Sequence, residues 1–186
     1  MSLVAMLEAI VAAVDSEVPS LKMVVPYDGR FGDVDLQRFQ ANAPCVLATC
    51  LGYGETEDQG DDIVAPAQWA LSLITTRTTG DAHDASRLKA VMALASTLTV
   101  LVRDSNGTDG AWADESAGPA TGIRAANVHS RDFDARNLTM WMLTWTQDCS
   151  LVAFDTDALD DLLRCDTEFD IGGDEPSTIT TTLEAP

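Results

Sequence analysis

Cys45-Val46-Leu47-Ala48-Thr49-Cys50-Leu51 is a nearly continuous apolar run between Pro44 and Gly52. Such a run reads as a central strand buried on both faces. Two further segments alternate with a period of two, the signature of strands. In Gln68 to Thr76, Trp69, Leu71, Leu73 and Thr75 face one way, and Ala70, Ser72 and Ile74 the other. In Leu138 to Thr146, Trp141, Leu143 and Trp145 oppose Met140, Met142 and Thr144. A chain with three such segments must build a sheet.

Helical periodicity appears between them. Residues 3–15 carry Leu3, Leu7, Ile10, Val11 and Val14 on one face, with Ser2 placed to cap. Asp33 to about Gln40 forms a short helix with Leu36 and Phe39 inward, stopped by Ala43-Pro44. Asp84 can cap a long helix to about Arg103, with Leu88, Val91, Ala95, Leu98 and Val102 as its inner stripe. Shorter strands are expected at Lys22 to Val25, Ile123 to Val128 and Val152 to Phe154, and a short helix after Thr156. Gly52 to Asp62 reads as an acidic loop, and Asp104 to Gly122 as a mobile surface loop. The order predicts an α+β fold: a mostly antiparallel sheet flanked by helices on one side, with extended loops. Residues 1–165 read as one domain. Residues 166–186 read as a polar acidic C-terminal arm, with a strand over Thr178 to Leu183.

Charge narrows the function. Asp and Glu number 30 against 11 Lys and Arg, a net charge of -19 over 186 residues. Nucleic-acid affinity comes largely from Lys and Arg on phosphates, so this balance argues against a sticky nucleic-acid or anionic-membrane surface. Asp outnumbers Glu 22 to 8, and only Lys22 and Lys89 are lysines. That choice suits a protein selected for high salt, where carboxylates stay hydrated and their repulsion is screened; a simply acidic soluble protein is the plainer account. No apolar run approaches the roughly 20 residues that span a bilayer, and the start lacks the basic region of a secretory signal.

Motifs for catalysis or metal binding are sparse. Cys45, Cys50, Cys149 and Cys165 make no Cys-x-x-Cys pair and read as buried free thiols, with a disulfide or zinc as the lesser alternatives. His83 and His129 lie near aspartates but fit polar flanks. No Gly-x-Ser-x-Gly elbow occurs. Gly52-Tyr53-Gly54 starts like a dinucleotide loop, but Glu57 stands where its third glycine belongs. Asp104, Asn106, Thr108 and Glu115 match positions one, three, five and twelve of a calcium loop, while Asp109 stands at the position that requires glycine. Asn106-Gly107-Thr108 and Asn137-Leu138-Thr139 are glycosylation sequons that arise readily by chance. The Trp141/Trp145 and Met140/Met142 faces suit core packing or a binding groove. The residues thus point to no enzyme and no cofactor.

The first fifty residues resemble a known family. An amphipathic helix is followed by Pro19-Ser20-Leu21-Lys22-Met23-Val24-Val25-Pro26-Tyr27-Asp28-Gly29, then Asp33 to Phe39, then Ala43-Pro44-Cys45-Val46-Leu47. This order resembles small proteins encoded in the tail-morphogenesis region of Mu-like phages and prophages. The match is good over residues 1–51 and architectural from 63 to about 163. It implies a virion protein assembled in the host cytoplasm: a tail terminator whose ring, usually of six subunits, caps the tail tube. The implied partners are other copies of the chain, the tail tube protein and a neck or head-completion protein, with DNA crossing an acidic lumen without specific binding.

On this expectation, Glu57, Asp58, Asp61 and Asp62 form a lumen-facing or docking patch, with Asp104, Asp109 and Glu115 of the second loop as further contact residues. The alternatives are a head-completion or neck adaptor, a minor tail protein, or a small acidic ligand-binding or calcium-stabilised module.

Overall fold

A computed structural model describes residues 1–28, 31–59, 62–76, 85–105, 112, 118–128, 133, 135–151, 164–169 and 177–182. It gives the backbone alone at 62, 85–88, 90, 164–169 and 177–182. In chain order the elements are α1 (Leu3–Glu17), β1 (Met23–Pro26), α2 (Asp33–Asn42), β2 (Cys45–Tyr53), β3 (Glu57–Gln59), β4 (Asp62–Thr76), α3 (Ala85–Arg103), β5 (Thr121–Val128), β6 (Leu138–Leu151), β7 (Arg164–Phe169) and β8 (Ser177–Thr182). The expected helix after Thr156 and the strand at Val152 to Phe154 lie outside the described residues.

The fold is α+β. Its six-stranded sheet runs β1-β2-β4-β6-β5, with β3 also on β4, and only the β1–β2 pair is parallel. β4 and β6 form the spine, paired from Ile63↔Leu151 to Thr76↔Leu138. Alternation sends their residues to two faces. One face carries Val46 and Ala48 of β2, Trp69, Leu71 and Leu73 of β4, and Leu143 and Trp145 of β6, packed with Met6, Ile10 and Val14 of α1 and Ala95, Leu98 and Val102 of α3. Burying each large apolar side chain there contributes about 1.5–3 kcal/mol.

The opposite face holds a smaller cluster. Leu36 and Phe39 of α2 pack on Cys45, Leu47, Ile74, Leu138 and Met140. The two long helices therefore share one side, and the short α2 sits on the other. Tyr27 and Phe133 complete this corner: Tyr27 lies edge-on to Phe39, with centroids 5.3 Å apart.

Local chemistry sets the helix ends. Ser2 Oγ accepts from Ala5 N at 3.2 Å, as the capping position predicts. The buried line of α1 is Met6, Ile10 and Val14, so its stripe is centred one residue before the sequence pattern's Leu7, which is only partly buried. At α2, Asp35 Oδ2 reaches back to accept from Gly32 N at 3.3 Å. Asp33 in the same turn pairs with Arg136 Nη2 at 2.7 Å, tying α2 to the turn before β6.

Of residues 52–62, expected as a loop, most of the described ones are strand. β2 runs on to Tyr53, and β3 pairs with β4 from Glu57↔Val64 to Gln59↔Asp62. Pro66 lies inside β4, where proline costs a ladder donor. It falls opposite the break at residues 54–56, where its carbonyl accepts from Gly54 N at 2.9 Å. The interruption in the neighbouring strand thus coincides with the missing donor.

The chain divides into two compact units, Met1–Leu151 and Val152–Pro186. In the second, β7 and β8 form an antiparallel pair from Arg164↔Thr182 to Phe169↔Ser177. β8 overlaps the strand expected over Thr178 to Leu183, whereas β7 had no counterpart in the sequence pattern.

Candidate functional site

Within 104–122, where the sequence suggests a mobile loop, the described residues Trp112 and Gly118 are held to the sheet. Trp112, in a stretch of Asp, Gly, Ala and Ser, is only 4% exposed and lies against Trp145 with ring centroids 6.1 Å apart. Its indole Nε1 donates to Gln147 Oε1 at 3.4 Å, and Trp145 Nε1 donates to the same oxygen at 3.3 Å. Gln147 Nε2 donates to the Gly118 carbonyl at 2.9 Å. A single buried amide therefore binds two described points of this segment, Trp112 and Gly118. The lone tryptophan was the available signal, outweighed by its polar neighbours.

The acidic residues divide among elements. Glu57 and Asp58 are exposed on β3, and the hairpin brings Asp62 opposite Gln59. Asp61, Asp109 and Glu115 lie outside the described residues, as do His83 and His129. Asp104 directly follows the last residue of α3, and the rest of the calcium-like stretch, apart from Ser105 and Trp112, lies outside the described residues. Arg103 Nε and Nη2 donate to the two Asp104 oxygens at 2.7 and 2.8 Å, and this pairing holds the Asp104 carboxyl below the usual carboxylate range. Among the described residues no group of three metal-ligating side chains converges.

Cys45 and Cys149 are buried free thiols, and Cys50 is free and partly buried. Burial pushes Cys45 up to about 11. Burial, and then the neighbouring Cys50, push Cys149 to about the same value. These thiols are poor nucleophiles at neutral pH. The Cys165 side chain is not described.

Among the described residues, polar ground lies on the α2 side of the sheet, away from α2. A shallow depression of about 330 Å³ is lined there by Leu51, Gln68, Gly122, Arg124, Thr144 and Thr146, with Trp69 and Trp145 completing it. Arg124 is exposed on β5 and makes no ion pair among the described residues. Sequence reasoning passed over it because a lone arginine in a short strand has no motif. A second, more apolar depression of about 210 Å³, lined by Leu21, Pro44, Val91 and Leu94 among others, lies at the Thr75-Thr76 end of β4.

Both lateral edges of the sheet are open among the described residues. β5 pairs only with β6. On the other side, β1 covers β2 from Cys45 to Ala48, Tyr27 continues to Thr49, and the stretch from Cys50 through β3 has no strand partner on that side among the described residues. Leu51 and Tyr53 on that stretch are 54% and 55% exposed. Open edges are templates for pairing with another chain. Among the described residues the site thus offers strand edges, the exposed Arg124 and the exposed carboxylates Glu57 and Asp58. Neither a family model nor a curated protein matches the chain. No helix among the described residues is long and apolar enough to cross a membrane.

Proposed function

We propose that this chain is a structural virion protein of a tailed virus, a tail terminator that forms a ring on the end of the tail tube. The observation that carries the proposal is the N-terminal block: helix, short strand, Pro26-Tyr27 turn, acidic helix and buried strand, the order by which residues 1–51 resemble the Mu-like tail-completion family. Its proposed partners are further copies of itself, six in a ring as the resemblance implies, together with the tube protein and a neck or head-completion protein.

Two physical features support this reading. A ring needs a head-to-tail interface between two different surfaces, and the sheet ends in two unlike edges, β5 and the β2–β3 stretch. A lumen crossed by DNA favours like charge, so that the duplex does not stick, and the chain carries a net charge of -19. The test is the molar mass by light scattering, at low and multi-molar salt, with and without tail tubes. A ring-sized species, alone or when tubes are added, is expected. A monomer under every condition that ignores tubes would sink the proposal.

A further inference from the structure

We propose that β5 of one copy pairs with the open β2–β3 edge of a second copy, placing Arg124 beside Glu57. This contact rests on the ring reading above and supplies its interface.

Register fixes the side chains on the sheet. Glu57 lies opposite Val64 on β4. Arg124 lies opposite Thr144 on β6, which in turn lies opposite Ala70 on β4. Val64 and Ala70 are an even number of residues apart on one strand, so they share a face. Glu57 and Arg124 therefore project from the same face at opposite edges of one sheet. When two copies join edge to edge with that face continuous, the acid of one meets the cation of the next.

The edges are chemically matched. Six of the eight residues of β5 are exposed, and Arg124 is its only charged residue. β3 is exposed throughout and presents Glu57 and Asp58. Main-chain pairing along an added strand gives affinity, while the charge pair fixes register and partner.

A second copy is the occupant the charges favour. Two β5 strands paired about a twofold axis would bring their arginines together, and like charges across strands are destabilising. Nucleic acid is disfavoured by the chain's net charge of -19. Pairing opposite edges is heterologous, and a heterologous contact closes into a ring when its rotation allows.

Arg124→Glu and Glu57→Arg, made singly and together, test the contact by sedimentation velocity with and without tail tubes. Circular dichroism of the monomers checks the fold, which neither exposed, unpaired side chain supports. Each single change is expected to weaken assembly about tenfold, and the double change to restore it to within about twofold. If the single variants assemble like the parent, or the double variant is no better than the singles, the pairing is overturned while the ring stands. A parent protein that stays monomeric with and without tubes overturns both.

Discussion

Trp112 and Gln147 meet across 35 positions of chain, the indole Nε1 donating to the amide oxygen at 3.4 Å in a buried setting. The same oxygen serves Trp145, and the amide nitrogen holds the Gly118 carbonyl. One side chain, 1% exposed, thus satisfies three polar groups and fastens an otherwise polar segment to the sheet.

Gln147→Leu keeps the bulk and removes every one of those bonds. Each orphaned buried group costs about 1–3 kcal/mol, so a total loss near 3 kcal/mol is expected in urea unfolding. Tryptophan emission should shift red as Trp112 leaves its seat. An unchanged unfolding midpoint would show that the segment is not held by this amide.

Gly52 sits at the β2 bulge with φ of +133°, a conformation that side chains rarely adopt. Nothing lies within 4 Å of an added Cβ, so crowding does not enter. Gly52→Ala should still cost about 1–3 kcal/mol through backbone strain. Thermal denaturation of this single variant checks it; a loss under about 0.5 kcal/mol would show that the bulge relaxes freely.

The thiols give the alkaline response a definite sign. Cys45 and Cys149 are held up to about 11 in the fold, mainly by burial, and titrate near ~8.5 when unfolded. Their contribution is fully present below the unfolded value and is lost as pH rises toward 11, because the unfolded chain gives up these protons first. The urea midpoint should therefore fall between pH 8.5 and 10. Replacing both residues by alanine should flatten that slope, whatever it does to stability at pH 7. Tyr27, pushed to about 12 chiefly by burial and then by Asp35, acts in the same direction at higher pH.

Arg136 and Asp33 form an ion pair at 2.7 Å, with side chains 26% and 86% exposed. So exposed an acid limits the pair to about 0.5 kcal/mol at low salt. Arg136→Ala should show that loss in dilute buffer and almost none at 1 M salt, where the Debye length is about 3 Å. A loss independent of salt would assign the effect to packing of the arginine stem.

Legibility followed periodicity. The alternation at Trp69-Leu71-Leu73 marks the second half of β4, and the stripe Val91-Ala95-Leu98-Val102 marks α3, because each repeats over several turns or pleats; the first half of β4, from Asp62, lacks that signal. The same alternation divided β6 into its two faces, with Trp145 and Met140 buried on opposite sides. The pairing of Glu57–Gln59 with Asp62–Val64 reads as loop in the sequence, since acid dominates it locally. It is set instead by β6, which runs on to Leu151 alongside β4. Arg124 and Glu57 lie far apart in sequence, and only the sheet register shows that they share a face.

β4 leaves the ribosome long before its main partner. Everything from residue 77 to residue 137 must be synthesised before β6 begins to emerge, although β6 supplies the pairing for Ile63 to Thr76. Until then the nascent hairpin of β2 and β4 carries a long bare flank beside the apolar Trp69-Leu71-Leu73 row. Long-range strand pairing is slow and leaves such flanks exposed to self-association. Expression yield should therefore depend on translation speed through the α3 segment and on chaperone supply, even for variants whose finished fold is fully stable.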